Sequence, residues 1–382
     1  MIEDAMFKIG GLLQVGFGEA GGEIIAENIR RAGGRLDPIV KGTKVDAVFG
    51  FCDIRKFTTV TECLEEDVLV FVNCVASIVH SAVHRFGGAA NKNVGDAFLL
   101  TWKLPIIRDA AAREPKVKRK SPPRERQRRN SQVQMSGDAF REHEAGLAFG
   151  RKRALVANIA DSALAAFLKI IIDLRHSSLR GSLSRFRKDA RLLRRFPDGF
   201  ECRMGLGMHL GWAVEGTIGS SYKVDASYLA PAVNLSARLE AATKQYDVPI
   251  LISSSFAQEL SIPAQSYLRL VDRVILKGTG KPIELYTFDI QTYPSSFGVL
   301  PWNVRPRNDE DREYNRTAHE CRIHVDFDSD PNVAVLQEGL SQEFFSTFED
   351  GLCSYFDGNW DDARENLSAA SELRPGGDGP SK

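Results

Sequence analysis

The chain is 382 residues long, 43% hydrophobic and 26% charged, with a formal net charge of zero. This length suits two or three domains, and the composition excludes a fibrous or wholly disordered chain. The zero conceals local polarity. Arg113 to Arg129 holds nine Lys/Arg against two acids, and Asp309 to Asp378 holds eighteen acids against five Arg. These segments suit contact with each other and with separate partners equally. Six Cys occur without a Cys-x-x-Cys pair, several beside apolar residues, which points to free buried thiols in a reducing compartment. No signal peptide is visible, so the expected location is the cytoplasm, or the cytoplasmic part of a larger membrane protein.

Residues 1–44 are expected to form a helical linker, with a helix over 19–31 ended by Gly33-Gly34. Gly16-Phe17-Gly18-Glu19-Ala20-Gly21 has the spacing of a dinucleotide fingerprint, but the apolar run before it is short and no parallel βαβ units follow. A glycine-containing linker is the better reading. Val45 to Phe51 predicts a strand leading into Asp53. Residues 65–85 predict a helix, apolar at 68, 71, 72, 75, 78, 79, 82 and 83 and ended by Gly87-Gly88. His80 and His84 on it have a zinc-compatible spacing, but no third ligand is evident and Ser81 stands where a metalloprotease motif needs glutamate. Residues 89–102 predict two short strands around the turn Asn93-Val94-Gly95-Asp96.

Residues 105–150, rich in Pro and basic side chains, read as a disordered insertion. Arg128-Arg129-Asn130-Ser131 in it makes Ser131 a candidate site for a basophilic kinase. The run lacks interleaved aromatics, so nucleic acid is not an expected partner. Leu155 to Leu174 is the longest apolar stretch. Its positions 158, 162, 165, 169 and 173 fall on one stripe, which predicts an amphipathic helix over 154–174 rather than a membrane span. No segment of this chain is expected to cross a bilayer. Strands follow over 201–210 and 212–218, then a helix over 232–243, then strands near 249–253, 268–277 and 283–289. Residues 293–344 form an acidic connector. Over 345–374, Phe348, Gly351, Tyr355, Gly358, Trp360, Ala363 and Leu367 have spacing that resembles a tetratricopeptide-type helix pair, a candidate surface for a protein partner. A lone pair cannot bury its own face, so it either continues an array or packs on the preceding domain.

The chemistry lies in two aspartates. Asp53 stands in Phe51-Cys52-Asp53-Ile54-Arg55-Lys56-Phe57-Thr58, and Asp96 in Lys92-Asn93-Val94-Gly95-Asp96-Ala97. Each is expected at a strand end, where two carboxylates can share divalent cations. Asn234 and Arg238 lie one helical turn apart downstream, on one helix face. Together these frames resemble the catalytic domain of class III adenylyl/guanylyl cyclases, over residues 45–292 without the insertion.

That resemblance implies an α+β, ferredoxin-like βαββαβ sandwich with a small helical C-terminal segment. It implies that Asp53, Asp96 and the Ile54 carbonyl hold two Mg²⁺ or Mn²⁺ ions, with backbone amides near Phe57 and Thr58 facing the phosphates. Asn234 would orient the ribose and Arg238 would balance transition-state charge. Lys92, with Ser227 seven residues before Asn234, would read the base. A lysine donates to adenine N1 and opposes the N1–H of guanine, which favours ATP over GTP, while serine discriminates weakly. Asp225 would substitute for Ser227 only if the loop shifted register. Lys277, with Lys281 as the alternative, would bind the triphosphate. Sites of this kind form across a dimer, and one chain here carries both sets, which implies a homodimer. The product would be 3′,5′-cyclic AMP and pyrophosphate. The alternatives are a guanylyl cyclase making cyclic GMP, and a non-catalytic cyclase-homology module that dimerises and regulates.

Overall fold

The computed structural model describes residues 41–105, 131–220, 224–277, 280–291, 305–306, 323–327 and 330–381. The helix expected over 19–31, the Gly16–Gly21 stretch, the insertion from 106 to 130 and most of the acidic connector lie outside the described residues.

Strand β1 (Thr43–Ile54) leads through helix α1 (Phe57–Leu64) and a 3-10 turn (Glu65–Asp67) into α2 (Val68–Arg85). The hairpin β2 (Ala89–Val94) and β3 (Ala97–Lys103) follows, then the long helix α3 (Ser131–Arg180) and β4 (Met204–Gly219). Next come β5 (Val224–Leu229), α4 (Pro231–Tyr246), β6 (Ile250–Ser253), β7 (Leu268–Val274) and β8 (Ile283–Phe288). The chain closes with the helix pair α5 (Gln342–Asp357) and α6 (Trp360–Leu373). The sheet is open and mixed, ordered β2-β3-β1-β4-β6-β8-β7, with β5 paired to β4. Its β2-β3-β1-β4 part, with α1–α2 and α3 as the crossovers, is the expected ferredoxin-like arrangement.

β1 is central because both of its faces are covered. Val48, Cys52 and Ile54 enter the main core with α2 and α3, while Ala47 and Phe49 join a second cluster with Leu99, Ala213, Tyr228 and Ala232. A strand buried on both faces shows a continuous apolar run rather than alternation, as Ala47 to Cys52 does. On the second face α4 lies unusually close to β4. A Cβ on Gly207 would collide with the Ser236 carbonyl and the Glu240 amide, so only glycine admits the helix backbone there.

Two elements differ from the sequence expectation. The two strands expected over 201–218 are one 16-residue strand. The helix expected over 154–174 runs from Ser131 to Arg180. That helix is also not amphipathic in the expected way. Asn158, Asp161 and Ser162 are buried with their apolar neighbours. Their polar groups are satisfied inside: Ser162 Oγ donates to the Asn158 carbonyl at 2.8 Å, and Asp161 Oδ1 accepts from the Ser261 amide at 3.0 Å. Among the described residues, two stretches are long and apolar enough to cross a membrane, Phe57–Arg85 and Arg153–Arg180. The second is 83% buried in the domain core, and the first is interrupted by the acidic turn Glu65–Asp67.

The C-terminal pair packs on the main sheet, with Leu270 of β7 against its own cluster of Phe344, Phe348, Leu352 and Ala370. Of the two arrangements open from sequence, packing on the preceding domain is the one present. The thiols of Cys52 and Cys202 are free and buried, Cys63 and Cys74 are half-buried, and Cys353 is exposed.

One half-buried residue makes stability depend on pH. His209 on β4 holds Nδ1 at 2.8 Å from Ser253 Oγ and 3.0 Å from Ser255 Oγ. Burial lowers its pKa from 6.5 to about 4. The unfolded chain therefore takes up this proton first as pH falls, and folded stability is full above pH 6.5 and declines toward pH 4. The expected loss over that window is about 3 kcal/mol. Urea unfolding of wild type and His209→Asn at pH 7 and pH 4.5 measures it; equal slopes with pH would remove His209 from the account.

Candidate active site

Asp53 emerges near the end of β1, on the face that α4 covers. Opposite it in register stands Ala97 of β3, so the residue before, Asp96, is placed beside Asp53. The β2–β3 turn makes this possible through Gly95, whose φ of 63° is the left-handed conformation glycine takes most easily. Ile54 N donates to the Asp96 carbonyl at 3.3 Å and locks the two strand ends together. Burial first, then the neighbouring charge of Asp53, pushes Asp96 above the ordinary aspartate range, as two carboxyl groups at adjoining strand ends do. Two adjoining oxygen-donor carboxylates that repel each other fit Mg²⁺ or Mn²⁺, which leave further positions to water and phosphate oxygens. Among the described residues no group of three or more His, Cys, Asp or Glu forms a metal cluster.

The next turn of chain serves anions. Lys56 adopts a left-handed conformation (φ 58°, ψ 30°) and starts α1 three residues after Asp53, with no side-chain cap. The first amides of that helix, at Phe57 and Thr58, thus lack an intrahelical partner, as a phosphate-binding helix start requires.

Sequence reasoning missed a cluster beside the aspartates. Arg55 donates to Glu240 Oε1 at 2.9 Å and to Thr243 Oγ1, and Lys244 Nζ lies 3.4 Å from Asp53 Oδ2. All three α4 residues sit on the helix face that meets β1. Glu240 is raised above the ordinary glutamate range by burial and by Asp53. The only sequence signal was helical spacing, since 240, 243, 244 continue the face that starts at 236.

Lys92 and Asp225 come together across 133 residues, Nζ to Oδ2 at 3.1 Å. Asp225 and Ser227 both lie on β5, two apart and therefore on one face, opposite Ile218 and Gly216 of β4. As folded, Asp225 is the residue of β5 paired with Lys92. Asn234 is exposed and Arg238 half-buried on α4. Arg238 precedes Lys244 by six residues, about 9 Å along the helix, and Asn234 by ten, about 15 Å. Within one chain they are therefore set back from Asp53. Lys277 and Lys281 are exposed at the β7–β8 turn. His80 meets Asn93 Oδ1 at 3.1 Å, in keeping with a helix-surface histidine.

This fold and site resemble the class III adenylyl/guanylyl cyclase catalytic domain, and the likeness is to nucleotidyl cyclases as a family. An adenylate cyclase of Anabaena cylindrica is 25% identical over 239 residues, which is 62% of this chain and 35% of that protein. A terminal-differentiation-specific adenylate cyclase of Dictyostelium discoideum is 23% identical over 238 residues, 62% of this chain and 8% of that protein. The chain thus spans about a third or less of these relatives. Among solved structures, a bacterial light-regulated adenylyl cyclase matches with a TM-score of 0.48 at 20% identity, covering 75% of this chain and 62% of that one. The guanylyl cyclase Cya2 matches with a TM-score of 0.42 at 17% identity, covering 68% of this chain and 98% of that one. Residues 1–30 match a family model described as the RasGEFs all helical domain.

Proposed function

We propose that this chain is an adenylyl cyclase that converts ATP to 3′,5′-cyclic AMP and pyrophosphate in a homodimer. The observation that carries the reading is the strand register that sets Asp96 beside Asp53 at the uncapped start of α1. Asp53 and Asp96, with the Ile54 carbonyl, would hold Mg²⁺ or Mn²⁺, and a cation bound there would supply a Lewis acid for the ribose 3′-hydroxyl and the phosphates. The chain's own groups do the rest. The amides at Phe57 and Thr58 hold phosphate oxygens. Asn234 of a second copy orients the ribose so that O3′ lies in line with the α-phosphorus. A bond forms from O3′ to that phosphorus, the bond to the β-phosphate oxygen breaks, and the 3′-hydroxyl proton leaves to solvent. Arg238 and Lys277, or Lys281, balance the negative charge that grows on the phosphates.

Base choice rests on Lys92 and Asp225. Lysine donates to adenine N1, and a carboxylate accepts from the adenine 6-amino group and repels the O6 of guanine. Ser227, on the same strand face, is then a neighbour of the reader rather than the reader. Cyclic nucleotide formation by the purified chain, with Mg²⁺ or Mn²⁺ and either ATP or GTP, tests the reading. Cyclic AMP is the expected product. Asp225→Asn is expected to lower the preference for ATP over GTP at least about tenfold, as loss of a charge-assisted hydrogen bond does. An unchanged ratio in Asp225→Asn, with a shifted one in Ser227→Ala, would return the role to Ser227. No product from either nucleotide by a folded dimer would favour a regulatory module.

A further inference from the structure

The charges around Asp53 are unequal in how firmly they are held. Three carboxylates gather there, Asp53, Asp96 and Glu240, each acting on another. Two cations face them. Arg55 is fixed from two sides, by Glu240 and by Thr243. Among the described residues, Lys244 is held only by Asp53 Oδ2, at 3.4 Å, and its side chain is 57% exposed where that of Asp53 is 19% exposed. Its charge also favours the ionised form of Asp96 and of Glu240. An ammonium on a four-carbon stem is a mobile point charge, unlike the forked guanidinium beside it. It stands at the mouth of the pair of carboxylates, on the side open to solvent.

Resting on the reading of Asp53 and Asp96 as metal ligands, we propose that Lys244 is a displaceable counter-ion, a positioning residue that holds these carboxylates together until a divalent cation replaces it. Without a cation between them the two carboxylates repel, and Asp53 would be drawn away from Asp96. Lys244 prevents this at the cost of competing with the metal. A bare divalent cation must expel it, whereas a cation arriving on a triphosphate brings negative charge that the expelled ammonium can face. The site therefore takes up metal with nucleotide in preference to metal alone.

The test is binding of Mn²⁺ without nucleotide, read from the electron paramagnetic resonance signal of the free ion. Wild type, Lys244→Met, Lys244→Arg and Asp53→Asn are compared, each checked by thermal melting. Lys244→Met is expected to bind Mn²⁺ about tenfold more tightly than wild type, the effect of removing one unit charge a few ångströms from a divalent ion in a solvent-exposed setting. Lys244→Arg, which keeps the charge, is expected to stay within about threefold of wild type. Asp53→Asn is expected to bind more weakly than all of them. Equal or weaker Mn²⁺ binding by a folded Lys244→Met, with binding still lost in Asp53→Asn, overturns the role of Lys244 and leaves the metal site standing. Wild-type binding by Asp53→Asn overturns the metal assignment itself.

Discussion

An equimolar mixture of Asp53→Ala and Arg238→Ala chains is expected to recover about a quarter of wild-type cyclase activity, although each alone loses at least about 1,000-fold. The reason is positional. In one chain the residue of α4 that reaches Asp53 is Lys244, and Arg238 is set back from it by about 9 Å along the helix. A site that needs both Asp53 and Arg238 must then draw Arg238 from another copy. If subunits exchange freely, half of the dimers are mixed, and each mixed dimer holds one site with both residues intact. That is one site in four. The individual losses are expected to be large because, on the proposed reading, Asp53 would hold the cation and Arg238 would answer charge present only in the transition state. The measurement is the initial rate of cyclic AMP formation, with mass by light scattering to confirm dimers. Activity that stays at the level of the single variants, in a mixture shown to contain mixed dimers, would place the whole site within one chain.

What could be read from sequence, and what could not, divides by range. The Asp53 frame follows an apolar run that has to be a strand, and Gly95 announces the turn that carries Asp96, so both aspartates were legible from a dozen neighbouring residues. The same is true of α4, whose periodicity fixed the common face of Asn234 and Arg238. The misses are pairings between distant segments. Lys92 meets Asp225 across 133 residues, and Arg55 meets Glu240 across 185. Nothing local distinguishes Asp225 from Ser227, because both lie on one face of β5, and the seven-residue spacing to Asn234 pointed to the serine. The polar stripe of α3 misled for a related reason. Asn158, Asp161 and Ser162 look solvent-facing until partners such as the Ser261 amide, a hundred residues away, are in place. The C-terminal helices were visible by their aromatic spacing, but what fastens them was not.

That fastening predicts the largest stability effect. Arg269 on β7 is 6% exposed. It donates to Asp289 at 2.7 and 2.8 Å, and to Asp378 at 3.2 and 2.9 Å. Arg374, just past α6, reaches the same two acids at 2.8 and 2.7 Å. The Arg269 guanidinium also lies over Phe348, 4.2 Å from the ring centre, and over Phe344 at 5.0 Å. Two arginines thus face two carboxylates at the seam between the sheet and the helix pair, and every charge there has a partner. Burial alone would raise Asp378, but Arg269 and the hydrogen bonds around it hold its carboxyl below the ordinary range, so this stabilisation is present above that range and is lost as pH falls through it. Arg269→Ala leaves Asp289 and Asp378 buried with one arginine between them and empties the space over two phenylalanine rings. The expected loss is about 4 kcal/mol in equilibrium urea unfolding. Arg269→Lys keeps the charge but not the fork that serves both acids, and about half of that loss is expected. Amide exchange should then quicken over α5 and α6 before it does over β1 and β4, because the seam opens first. A loss below about 1 kcal/mol for Arg269→Ala would mean that the hydrophobic contacts of Phe344, Phe348 and Leu270 hold the helix pair without help from the ion cluster.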